Sequence, residues 1–139
     1  MNFHRYKREK TFGTCDFGAY KIYICELSDV KGLKYKGITA LPFDSIIEIP
    51  YPMSGSQAKK LSAYLTSVYE GNLPKMHKIK TGWTSMFSSF YINFERVKGG
   101  RIKGRISIGT LFSGSMKRIA LEPLQVKLFA DELQALYKD

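Results

Sequence analysis

The sequence predicts an α+β fold of two pseudo-symmetric units, each a set of antiparallel strands followed by one helix. Three observations lead there. The chain matches itself at an offset of 68 residues, the separation of Gln57 from Gln125. At that offset Gln57, Lys59, Leu61, Leu65, Val68 and Tyr69 fall on Gln125, Lys127, Phe129, Leu133, Leu136 and Tyr137. Tyr23, Ile24, Gly32, Ile38 and Thr39 fall on Tyr91, Ile92, Gly100, Ile106 and Ser107. Second, apolar residues recur at helical spacing at the end of each copy, and third, they alternate with polar ones before it. Two copies of so long a period do not make a solenoid; they suit a pair in which each half buries the apolar face of the other. Only the strand before each helix needs a gap in the match.

The elements follow in chain order. Residues 1–13 are basic and aromatic and read as an N-terminal arm. A strand over 11–19 would bring the first unit to four. From Ala19 to Leu27 the alternation sets Ile22 and Ile24 against Lys21, Tyr23 and Cys25. Ser28 to Gly32 turns the chain, and Leu33 to Leu41 returns as a strand. Ile46 to Ile49 is a short strand before Pro50 and Pro52. Ser54 or Ser56 caps a helix over about 56–70, and Gly71 ends it.

The connector 71–82, running on past Trp83, is either a loop that packs Trp83 as a plug or the first strand of the second unit. Ser89 to Val97 alternates, with Phe90, Ile92 and Phe94 on one face and Tyr91, Asn93 and Glu95 on the other. Gly99-Gly100 turns into Arg101 to Leu111. The final unit of structure is Lys117 to Gln125, a short strand running into a proline suited to the first turn of a helix. Val126, Phe129, Ala130, Leu133, Leu136 and Tyr137 form its apolar stripe. The two repeats therefore span about 14–70 and 83–137, within one domain of 139 residues.

Composition narrows the function. Apolar residues at 44% and aromatics at 14% exclude global disorder. The net charge is +10, with +1 in residues 20–70 and +4 in residues 88–139. A basic surplus of this kind favours a polyanionic partner, nucleic acid before anionic membrane. Cys15 and Cys25 lack both CxxC spacing and a nearby histidine, so neither a redox motif nor a zinc site is supported. The charged N-terminus and the absence of a long apolar run predict a protein that is not secreted and does not enter a membrane. That places it in cytoplasm or nucleoid, or in the nucleus or an organelle of a eukaryote.

The strand from Arg101 carries the strongest functional signal. Arg101, Lys103 and Arg105 alternate with Ile102 and Ile106, so the three cations stand in a row roughly 7 Å apart. Charge can simply protect a strand edge, but one or two lysines suffice for that. Here Arg96, Lys98, Lys117 and Arg118 lie close in sequence as well.

Lys-x-Ile-x-Leu-x-Pro-x-Gln (Lys117 to Gln125) before an amphipathic helix, preceded by a basic hairpin, resembles the single-stranded-DNA-binding domain of transcriptional positive cofactor four. Two copies in one chain are similar to the Whirly and Pur-type relatives. The match covers about 89–137 and, more weakly, 20–70, where Pro50 to Ser56 replaces the Glu-Pro-Leu-Gln stretch. The resemblance implies a curved sheet of about four antiparallel strands in each unit, paired units, a homodimer or larger assembly, and binding of single-stranded DNA or RNA to the sheet faces. It points to Lys34, Tyr35, Lys36, Arg101, Lys103 and Arg105 in the second strands and to Tyr23 and Tyr91 in the first. Lys21, Trp83, Arg96, Lys98, Lys117 and Arg118 complete the candidate interface on chemistry alone. Cations would track phosphates, and bases would stack on exposed rings at on the order of 1–3 kcal/mol each.

No catalytic function is expected. His4 and His77 have no carboxylate at a telling distance, and no paired acidic motif, cofactor loop or metal-ligand spacing is present. The rival expectation is a protein-binding regulator or inhibitor that uses the same basic sheet against an acidic protein.

Overall fold

The computed structural model describes residues 6–18, 20–43, 48–72, 77–79, 88–96, 101–110 and 114–137. The elements are β1 (Tyr6–Phe17), β2 (Tyr20–Asp29), β3 (Lys34–Pro42), β4 (Ile49–Pro52), α1 (Gly55–Tyr69), β5 (His77–Ile79), β6 (Ser88–Arg96), β7 (Ile102–Thr110), β8 (Gly114–Leu121) and α2 (Pro123–Leu136). They form two four-stranded antiparallel sheets in the orders β1-β2-β3-β4 and β5-β6-β7-β8, each followed by a helix. The α+β class and the two units are as the sequence predicts.

The 68-residue offset is visible in the elements. Lys34 and Pro42 bound β3, and Ile102 and Thr110 bound β7; α1 begins at Gly55 and α2 at Pro123. Pairing repeats too, with Ile24 opposite Ile38 and Ile92 opposite Ile106. The match slips in the strand before each helix. Gly37 pairs with Pro52, whereas Arg105 at the offset position pairs with Arg118, two residues short of Ala120. An even slip keeps every side chain on its own face, so the repeat tolerates it.

One boundary differs from expectation. Residues 6–13 are the first part of β1, not a free arm, whereas β5 falls within the connector, where a first strand of the second unit is one of the two expectations. The reason for the difference is local. Bulges between Arg8 and Lys10 and between Thr11 and Gly13 break the register of β1 on β2, so its sequence does not alternate as a flat strand does.

Both helix starts follow from local chemistry. Ser54 caps α1 through a capping box with Gln57: the hydroxyl accepts from the Gln57 N–H at 3.2 Å, and the Ser54 N–H donates to the Gln57 side chain at 3.0 Å. Gly71, with φ of 93°, closes α1 by donating to the Val68 carbonyl, and Asn72 donates to that of Ser67. This is a Schellman ending, which needs the left-handed conformation glycine supplies. Helix α2 has Pro123 in its first turn and no side-chain cap.

The helices pack on each other and on opposite sheets: α1 contacts β5 and β6, and α2 contacts β1 and β2. Ala58, Leu61, Leu65 and Val68 from α1 meet Val126, Phe129, Ala130 and Leu133 from α2 in one core with Ile22, Ile24, Ile38, Ile92, Ile102 and Ile106. Phe17 ties three elements together, its ring 6.1 Å from Phe94 and 5.0 Å from Phe129. At the helix crossing the Ser62 hydroxyl donates to the Ala130 carbonyl at 3.0 Å. These residues are 68 apart, so each meets its own counterpart. A residue that contacts its own equivalent stands beside the two-fold axis, and the pseudo-axis therefore passes between them.

Tyr64 of α1 provides a second bond between the halves. Its hydroxyl donates to the Ile92 carbonyl at 3.3 Å and accepts from the Phe94 N–H at 2.8 Å, both in β6. Removing it strands two buried backbone groups. Tyr64→Phe should lower stability by about 1–3 kcal/mol, with the loss appearing as a lower midpoint in urea unfolding and an unchanged slope.

Candidate functional site

Each sheet has one face on the helices and one turned away from them, and strand alternation assigns every residue to one or the other. In the first unit the outward row contains Lys21, Tyr23, Cys25 and Leu27 on β2, with Leu41, Thr39, Gly37 and Tyr35 opposite them on β3. Exposure does not follow. Cys25 and Leu27 are 0% exposed and Thr39 is 2% exposed, although none of them faces the helices.

What covers them is β1 and the segment leading into β4. Arg8 and Glu48 form a two-pronged ion pair, with Nε to Oε2 at 2.8 Å and Nη2 to Oε1 at 3.1 Å. The third guanidinium nitrogen donates to Thr11 Oγ1 at 2.7 Å. The guanidinium carbon also lies 3.9 Å from the centre of the Tyr23 ring. Beside it the Tyr6 and Tyr35 rings meet edge to face at 5.4 Å, and the Tyr35 hydroxyl donates to Asp29 at 3.2 Å. β1 carries two bulges and comes into contact with β4, so its cation reaches an acid at the far edge of the sheet. The outward face of this unit is therefore a second, small interior.

The second unit is built on the same register with different residues. Asn93, Lys103 and Arg105 stand 68 positions beyond Cys25, Tyr35 and Gly37, and all three are exposed. Ile102 and Ile106 between them are buried against the helices. The alternation expected for this strand is therefore present, with Lys103 and Arg105 outward. Arg101 just before β7 is exposed and pairs with Glu122 at 3.0 Å. At such exposure this contact contributes little to stability.

The remaining candidates divide as follows. Tyr23 is half-buried under Arg8, and Lys21 is half-buried on the same face. Tyr35 is on the outward face, but Lys34 and Lys36 are not beside it. They oppose Ser28 and Glu26 on the helix-facing side, as alternation requires of neighbours in a strand. Lys36 donates from Nζ to the Leu136 carbonyl at 3.0 Å, a cation at the C-terminal end of α2 where the helix dipole favours it. Register alone places the next four. Position 91 opposes Ser107, and 118 opposes Arg105. Positions 96 and 117 oppose the buried Ile102 and Ile106. Trp83 and Lys98 lie outside the described residues.

Arg8, Thr11 and Glu48 were not among the sequence candidates. Arg8 sat in what read as an arm, and Glu48 is a lone acid forty residues away. Only the bend in β1 brings them together, and no local pattern encodes it.

Both thiols are shielded. Burial, helped by the Glu48 carboxylate, pushes Cys25 up to about 12, and burial with Asp16 and Glu132 does the same for Cys15. Thr39 Oγ1 is buried beside Cys25 without a well-formed hydrogen bond among the described residues. Also among the described residues, no cluster of three His, Cys, Asp or Glu is placed to hold a metal. No helix among the described residues is long and apolar enough to cross a membrane. Compared with protein-family models and with curated proteins, the chain matches none.

The raised thiols set an alkaline limit. The folded state keeps these protons up to about 12, while the unfolded chain releases them near the ordinary value of about 9. The unfolded state then binds fewer protons, so stability should fall as pH rises from 9 towards 12. Buried Tyr51 and Tyr64 and half-buried Tyr137, also raised, act in the same direction. Urea midpoints on either side of pH 9 should drop on the alkaline side, less so after Cys15→Ala and Cys25→Ala.

Proposed function

We propose that this protein binds single-stranded nucleic acid, DNA before RNA, on the outward face of β6, β7 and β8. The observation that carries the reading is the pairing of Arg105 with position 118, another arginine, in a face that also exposes Lys103. Like charges directly opposed across strands cost stability in the free protein. A polyanion removes that cost and makes the same pair favourable, since each phosphate neutralised also releases a counterion. Asn93, exposed opposite Arg105, adds donors and an acceptor suited to bases or sugars.

The shape of the face supports a single strand over a duplex. It is a sheet, with both helices engaged in the core, so neither helix is free to enter a major groove. The resemblance of Lys117 to Gln125 and its helix to single-strand-binding domains points the same way. The protein would act where unpaired DNA is exposed, in replication, recombination or transcription.

The test is a fluorescence titration with single-stranded DNA, duplex DNA and RNA of equal length at two salt concentrations. Single-stranded DNA should bind tightest. Lys103→Ala with Arg105→Ala should weaken it and flatten the log–log salt slope by about 0.7 for each phosphate that is no longer neutralised. Equal affinity for an acidic protein and for DNA, with no change in slope in the double variant, would instead favour a protein-binding regulator.

A further inference from the structure

We infer that the two units are not two copies of one binding surface: the first unit's outward face is held shut by the chain's own Arg8 and Glu48, so a polynucleotide is confined to the second. The inference rests on the single-strand reading given above, and on four further observations. The guanidinium of Arg8 lies 3.9 Å over Tyr23, the position a base would need in order to stack on that ring. The Glu48 carboxylate takes two of its nitrogens at 2.8 and 3.1 Å, as a phosphate would. Thr11 takes the third. Cys25, Leu27 and Thr39 lie below and are closed to solvent.

Ring, cation and anion are thus all supplied from within the chain, and the first unit presents a filled version of a nucleotide site. The second unit lacks the acid: Met116 stands 68 residues beyond Glu48 and cannot form an ion pair. Nor can Gly114, the position that the two-residue slip before the helix sets against Glu48. Where the first unit has Cys25, Tyr35 and Gly37, the second has Asn93, Lys103 and Arg105. The charge distribution agrees, with only +1 over residues 20–70 against +4 over residues 88–139. One strand per chain follows, where a symmetric pair would take two.

Glu48→Ala and Arg8→Ala both break the ion pair, but only the first leaves a free cation beside Tyr23. Iodoacetamide labelling, followed by peptide mapping to separate Cys25 from Cys15, reads the closure without any nucleic acid. Cys25 should label about tenfold faster in both variants than in the wild type. A fluorescein-labelled oligothymidylate, titrated for stoichiometry and photo-cross-linked for position, reads the consequence. The wild type should bind one strand and leave Tyr23 without cross-links. Glu48→Ala should gain cross-links at Tyr23 and steepen the salt slope by about 0.7, and Arg8→Ala should not.

Cys25 as protected in both variants as in the wild type would overturn the closure. Two strands per wild-type chain, or wild-type cross-links at Tyr23, would overturn the confinement. A wild type that binds no oligothymidylate would overturn the single-strand reading itself, and the labelling rates would still decide whether Arg8 and Glu48 close the face.

Discussion

Ser62 and Ala130 meet where α1 crosses α2, and the rest of the structure depends on that crossing. Each four-stranded sheet has an apolar face too large to leave in water, and one helix of its own cannot cover it. The solution is exchange: each helix lies against strands of the opposite unit, while the two helices bury their stripes against one another. Burial of each large apolar side chain contributes roughly 1.5–3 kcal/mol, and residues of both halves share one core. Close approach of backbones is part of the arrangement. At Gly104 an added methyl group would run into the β6 backbone at Asn93 and Phe94, whereas at Gly13 it would meet only the end of the Glu132 side chain.

A shared core constrains the inward faces of both units and leaves the outward faces free to diverge. The inward residues keep their type at the 68-residue offset: Ile24 and Ile92, Ile38 and Ile106, Leu65 and Leu133. Outward ones diverge more: Tyr23 keeps its type at Tyr91, but Cys25, Tyr35 and Gly37 give way to Asn93, Lys103 and Arg105. One face is closed around an ion pair, while the other exposes Asn93, Lys103 and Arg105. The difference begins in β1, whose twelve residues and two bulges let it bend over its own sheet. Of β5, its counterpart, the described residues are His77–Ile79.

A partly buried ion pair over an apolar pocket is a weak source of stability, because desolvation offsets much of the attraction. Arg8 and Glu48 retain about a third and a quarter of their side-chain exposure, which softens that cost. Their effect is on shape and access more than on folding free energy. They hold a strand in a bent position and keep solvent from Cys25, Leu27 and Thr39.

The sequence by itself determined the class, the repeat, both helices and the two faces of β7. Each of these depends on short-range periodicity, which survives in a string of letters: Ile102 and Ile106 against Lys103 and Arg105, or Val126, Phe129 and Leu133 one helical turn apart. Only the tertiary structure decided that β1 starts at Tyr6, that Lys36 serves the end of α2, and that Arg8 reaches Glu48 over Tyr23. Bulges shift the alternation by one residue at a time, and an ion pair across forty positions leaves no trace in local spacing. The curvature that joins them belongs to the assembled sheet, not to any one strand.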